Sequence, residues 1–352
     1  MSDLPVLRRL ASWDVFLCVF VVCMFVFGNE LSNVFGSEAE VRTAATVFNT
    51  LRNVGEIMLI ALPMTMLIIS GEIDLSVGSA ALLSSCVIGK AYESGLPMWQ
   101  CALLGILTGA LGGALNGFLV TRLGLQSLAV TIGTLALYRG LGSVILENNT
   151  IAGFPKDWVA FGYSDKLFGF LPKVWLVVIP VAVLFTMVLR HSKTGRAVYA
   201  IGLNGEAARF SGLQVQRIKF GLFVATGAMA GVGGLQITLR QASASPTAVR
   251  GLELAVIAAV LFGGVSIFGG RGGLFGVINA VLFLGLSRTI LRLSGIKPNV
   301  LTVVTGGLLL ASVIGPALSA RLRAFQYFSR PTKPVESESR SGQTRLPDPE
   351  RR

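Results

Sequence analysis

Between residues 13 and 318 this sequence alternates apolar runs with short polar segments, and most runs are about 15 to 25 residues long, the length that crosses about 30 Å of hydrocarbon. The bilayer core offers no water to backbone N–H and C=O groups, so runs of this kind are read as helices that satisfy their own hydrogen bonds. The runs fall near residues 13–28, 54–70, 77–89, 97–121, 125–146, 173–189, 219–239, 252–268, 273–291 and 299–318. The pattern predicts an all-α polytopic membrane protein with about ten transmembrane helices, of which 77–89 is short enough to be a half-helix. Composition agrees: 14% of the residues are charged, against about 25% in soluble domains.

A formal net charge of +12 would fit nucleic-acid binding if the cations were clustered on one surface. Here they sit in loops and tails between apolar runs, where they report orientation and contact with anionic headgroups. The densest cationic cluster, residues 190–219, and the cations after residue 320 must share a side, which predicts both termini in the cytoplasm. Residues 1–12 are then a cytoplasmic N-terminus, 13–320 the membrane domain, and 321–352, rich in Pro, Ser and charge, a disordered cytoplasmic tail. The first apolar run, preceded by Arg8 and Arg9, resembles a signal peptide, but the weak cleavage site after it favours an uncleaved anchor helix.

Chemistry-bearing residues are few. Cys18, Cys23, Cys86 and Cys101 all lie inside apolar runs without a metal-spaced partner, and His191 is the lone histidine. The phosphate-loop arrangement GxxxxGK[ST] does not occur. The sequence predicts no catalytic residues, no metal site and no cofactor of its own.

Two acids interrupt an apolar run in "LIISGEIDLSVGSAALL", residues 67–83. A carboxylate at bilayer depth costs roughly 3 kcal/mol, so Glu72 and Asp74 call for a reason. A helix broken at Gly71 and restarted near Ser76, with Asp74 or Ser76 accepting from its first N–H groups, supplies one. On this reading Gly71, Glu72, Asp74, Ser76 and Gly78 form a helix break at the cytoplasmic mouth, and Asp74 matters more than Glu72.

Glycines at four-residue spacing (Gly109, Gly113 and Gly117; Gly227 and Gly231; Gly272 and Gly276) predict close helix packing. "FGGVSIFGGRGG", residues 262–273, reads instead as a tight cytoplasmic turn built on Gly263, Gly264, Ser266, Gly269, Gly270 and Gly272. In the long polar segment 190–219, Gly202, Asn204 and Gly205 are turn residues preceding "EAARFSG". Glu206 favours the start of a short helix and Gly212 its left-handed end, with Ala207, Phe210 and Ser211 on one face and Arg209 opposite. Such a helix suits docking to a soluble partner.

"EAARFSG" resembles the signature of permease subunits of ATP-binding-cassette (ABC) importers. The wider stretch 195–220, which includes "YAIGLNGEAARFSGLQVQRIKF", together with "SGEIDLSVGS" and "GGVSIFGGRG", is similar to the ribose-type branch of sugar permeases across roughly residues 50–318. Glu72 stands where many relatives carry glycine, and in this respect and in "VTRLGLQSLAVTIGTLALYRG" the chain looks closest to rhamnose and autoinducer-2 permeases. The resemblance implies a type II-like permease bundle in the bacterial inner membrane, carrying a rhamnose- or ribose-like sugar or autoinducer-2. It further implies a second permease chain, two copies of an ATPase that binds the ATP, and a periplasmic sugar-binding protein. Glu206, Ala207, Ala208, Phe210 and Gly212 would form the helix that couples to the ATPase. The competing reading is an ion-coupled secondary transporter with Glu56, Glu72 and Asp74 as relays.

Overall fold

The computed structural model describes residues 13–27, 43–249 and 251–294, with a few single positions between 300 and 307. All of them belong to one compact unit, Met1–Val313. The 299–318 run and the tail lie outside the described residues.

Twelve helices carry the described fold: α1 (Trp13–Val26), α2 (Ala44–Ile69), α3 (Val77–Glu93), α4 (Met98–Thr121), α5 (Ser127–Ile145), α6 (Lys156–Tyr163), α7 (Trp175–His191), α8 (Lys193–Leu203), α9 (Gly205–Phe210), α10 (Val215–Gln241), α11 (Leu252–Phe262) and α12 (Leu274–Leu293). Four two-residue strands form two small antiparallel pairs, Ile151–Ala152 with Ser243–Ala244 and Lys166–Leu167 with Leu171–Pro172. This is an all-α membrane protein. Among the described residues five helices are long and apolar enough to cross a membrane, and α7 with α8, bent by 68°, could form a sixth crossing.

α2 is the central helix: every residue from Val54 to Ile69 is buried. It begins at Ala44, well before the apolar run, because "AATVFNTLRN" is mixed in character and has no 15-residue apolar signature. Arg52 in that first part donates to the carbonyl of Tyr163 at 3.0 Å and lies over the Tyr163 ring, so its charge is met at the end of the bundle. α4, α5 and α7 turn Leu111, Val144, Leu184 and Met187 outward, the surface expected to meet lipid.

The most extensive helix contact joins α4 to α10, and glycine is its cause. A Cβ on Gly109 would run into the backbone of Gly227 and Gly231, and one on Gly113 into Phe223 and Gly227. Backbones touch where side chains would hold them apart, which lets dispersion act between helices that gain nothing from burial in lipid. Gly272 departs from the expected packing role. It lies in the turn before α12 with φ +132°, not on a helix stripe.

Candidate functional site

The α2–α3 break follows from local backbone chemistry. Gly71 adopts φ +86°, its N–H donates to Ile68 O at 2.9 Å, and the Glu72 N–H donates to Leu67 O at 3.2 Å. This pair of bonds satisfies carbonyls left over at the end of α2 and reverses the chain. Asp74 then holds the crossing to α3. Its Oδ1 accepts from the Ser76 N–H at 2.8 Å and the Ser76 hydroxyl at 2.7 Å. The Asn116 amide of α4 donates to Ser76 Oγ at 2.8 Å and to Asp74 Oδ2 at 3.3 Å. Asp74 and Asn116 are fully buried, so these donors are what make the carboxylate tolerable there. Neither expected cap accepts from an N–H of α3: Asp74 takes the Ser76 N–H just before the helix, and Ser76 donates to Asp74 and makes no side-chain cap.

Asp74→Asn keeps the Oδ1 acceptor and should preserve folded protein after a flip of the Asn116 amide. Asp74→Leu would strand three buried donors at about 1–3 kcal/mol each and should lose most of the monodisperse protein on size exclusion in detergent. Loss of transport by a well-folded Asp74→Asn protein would show that the charge itself is needed.

The polar segment before α9, in which Gly202 reads as a turn residue, holds a helix. α8 starts where Ser192 Oγ accepts from the Gly195 N–H at 3.0 Å, and it buries Ala197, Val198 and Ile201 on one face. Gly202 is therefore helical, and a Cβ there would strike Ile69 O and the Gly270 N–H. Asn204 Oδ1 caps α9 by accepting from the Ala207 N–H at 2.9 Å. At the far end Gly212 sits at φ +86°, with its N–H on Arg209 O and the Leu213 N–H on Ala208 O. Phe210 is 90% exposed, whereas Ala208 is buried within the chain's own bundle and presents nothing to a partner. Arg209 is also exposed, so the helix shows a broad outer surface instead of two opposed faces.

The glycine turn between α11 and α12 packs onto the same place. Gly270 donates its N–H to Ile69 O at 2.8 Å, and the Tyr199 hydroxyl of α8 donates to Gly272 O at 2.8 Å. The turn is closed by the Ser266 N–H on Arg271 O and the Gly269 N–H on Ser266 O, both 3.0 Å, and it leaves Phe268 exposed. Gly263 and Gly264 end α11, Gly263 close against α12 at Gly276 and Val277.

Glu72 ties these parts together. Its Oε1 meets Lys219 Nζ, in the first turns of α10, at 2.5 Å, with only 14% and 21% of the two side chains exposed. Thus the helix break, the α8–α9 segment and the glycine turn, far apart in sequence, share one end of the bundle. Gly78 does not belong to this cluster: it lies against Glu253, which pairs with Arg139 at 3.1 Å. The sequence does not single out Asn116, Tyr199 or Lys219 for this site. Asn116 carries a signal, as an amide deep inside an apolar run, but its partner is 42 residues away. Among the described residues no His, Cys, Asp or Glu group could hold a metal.

Residues 46–313 match the family described as branched-chain amino acid transport system / permease component. The chain is 32% identical over 310 residues to the D-allose transport system permease protein AlsC of Escherichia coli, covering 86% of this chain and 91% of that one. It is 34% identical over 268 residues to the ribose import permease protein RbsC of Bacillus subtilis, covering 76% and 83%. It is 32% identical over 268 residues to the autoinducer 2 import system permease protein LsrD of Klebsiella pneumoniae, covering 74% and 80%. No solved structure matches the chain.

Proposed function

The chain belongs to the ribose-type family of ABC import permeases, and from that premise we propose that it forms the translocation pathway for a monosaccharide or a small polyol of autoinducer-2 type. The family profile carries a branched-chain amino acid description, whereas the relatives named above are permeases for allose, ribose and autoinducer 2; the substrate reading follows the relatives. ATP is bound and hydrolysed by a separate ATPase chain, a solute-binding protein delivers the substrate, and a second permease chain completes the pathway. The observation that carries this reading is the junction of α9 with the α2–α3 break: an exposed helix ending at Gly212 leads into α10, whose Lys219 holds Glu72. A push on α9 therefore reaches the broken helix through α10.

In this reading the cytoplasm lies at the α9 end of the bundle, and both termini lie on that side. With the bent α7–α8 pair counted as one crossing, the five long apolar helices, α1, α3, α11 and the 299–318 run of the sequence would together make the roughly ten-helix bundle of a type II-like inner-membrane permease. Glu56 and Glu72 are each committed to an ion pair, which favours the ATP-driven reading over an ion relay. Uptake energy tests it. In cells where a protonophore and a sodium ionophore collapse the gradients while cytoplasmic ATP is maintained, labelled sugar should still accumulate. Immediate arrest of uptake at unchanged ATP would identify an ion-coupled carrier.

A further inference from the structure

A groove of about 600 Å³ opens between the last turn of α4 and the first turns of α10. Phe118, Thr121 and Arg122 line it from the α4 side, and Gln216, Arg217 and Phe220 from α10. Glycine brings the two walls together: a Cβ on Gly117 would meet Phe220 and Phe223 at 3.1 Å. Both arginines are exposed. Arg217 Nη1 donates to Gln214 Oε1 at 2.9 Å, a neutral partner, and among the described residues the Arg122 guanidinium has no partner. No lining residue is acidic, so two positive charges share the groove without a counter-charge.

α4 carries an apolar track into the groove. Leu104, Leu107, Leu111, Leu115 and Phe118 are all exposed, and with Arg122 they fall within an arc of about 60° on one helix face. From Leu111 to Arg122 is 122 − 111 = 11 residues, roughly 16 Å of helix, or about one leaflet of a hydrocarbon core about 30 Å thick. A single arginine at a helix end can simply snorkel to the headgroups. Two arginines lining one groove repel each other unless an anion stands between them, and guanidinium groups suit phosphate oxygens. A soluble anion would meet the arginines but leave the phenylalanines and the leucine track bare. A zwitterionic lipid brings an ammonium group that the arginines repel. We propose that the groove seats an anionic phospholipid, its phosphate between Arg122 and Arg217 and an acyl chain along Phe118, Leu115 and Leu111. This seat requires a membrane around the chain and is independent of the substrate carried.

The test uses the assembled importer in phosphatidylcholine vesicles doped with a phosphatidylglycerol that bears a diazirine high on one acyl chain. Mass spectrometry should place the adducts within residues 111–122, about tenfold above those from phosphatidylcholine bearing the same group. Arg122→Gln and Arg217→Gln should each lower the adduct about fivefold. Lys193→Gln, which removes an exposed cation at the start of α8 outside the groove, should leave it unchanged. In the wild-type complex, excess unlabelled phosphatidylglycerol should displace the probe and inorganic phosphate should not, a comparison that needs no variant. A benzophenone side chain at Phe118 should capture no protein subunit. Equal labelling by the two lipids, labelling that survives loss of either arginine, an equal loss in Lys193→Gln, or displacement by inorganic phosphate overturns the assignment. Capture of the ATPase or the second permease at Phe118 also overturns it, by giving the groove to a protein.

Discussion

Gly212→Val and Phe210→Asp should each abolish uptake while leaving the permease in the membrane at near-normal level. Gly212 has φ +86°, where a side chain costs about 1–2 kcal/mol and a β-branched one more. α9 has six residues, too few to persist without its ends, so losing the bonds from Gly212 and Leu213 back to Arg209 and Ala208 dissolves it. Nothing packs within 4 Å of a Cβ at Gly212, so the defect stays local and insertion survives. Phe210 is 90% exposed, so aspartate there costs the fold little, yet it places charge where an apolar knob would enter a partner's cleft. Uptake of labelled sugar, set beside immunoblots of membrane fractions, measures both. Normal uptake by inserted Gly212→Val protein would remove the docking role of α9.

The Glu72–Lys219 pair should show the next largest effect. Removing either partner of a fully buried ion pair costs roughly 3–5 kcal/mol, and this pair keeps some solvent, so the stability loss is smaller. Lys219→Ala and Glu72→Ala should fold but lower uptake by about tenfold while the complex still hydrolyses ATP, because α10 no longer grips the α2–α3 break. The exchange Glu72→Lys with Lys219→Glu should recover most of the lost uptake. Single variants with uptake and ATP hydrolysis both at wild-type levels would show that the pair transmits nothing.

Features built from near neighbours could be read from the sequence; those built across the fold could not. The Gly71 break, the restart after Ser76 and the Gly212 end of α9 depend on bonds within a few residues, and each lies where local chemistry placed it. The apolar runs located α4, α5, α7, α10 and α12 to within a few residues, because a bilayer imposes length directly. α8 is hidden in the sequence because Gly195 and Gly202 look like breakers. Gly202 is glycine for closeness to Ile69 and Gly270, a reason that exists only in three dimensions. Lys219 reads in the sequence only as a cytoplasmic cation, since its partner Glu72 is 147 residues away. Glu72 therefore also joins the helix end to α10 through Lys219.

The most direct measurement is photo-crosslinking from α9. A benzophenone side chain placed at Phe210 in the assembled importer should capture the ATPase subunit. The same group at Phe168, 87% exposed in the turn that joins the Lys166–Leu167 strand to its partner, should capture none. That result would establish α9 as the contact with the ATPase and its end of the bundle as cytoplasmic. An importer that takes up sugar yet yields no ATPase adduct at Phe210, or yields one at Phe168, would contradict both.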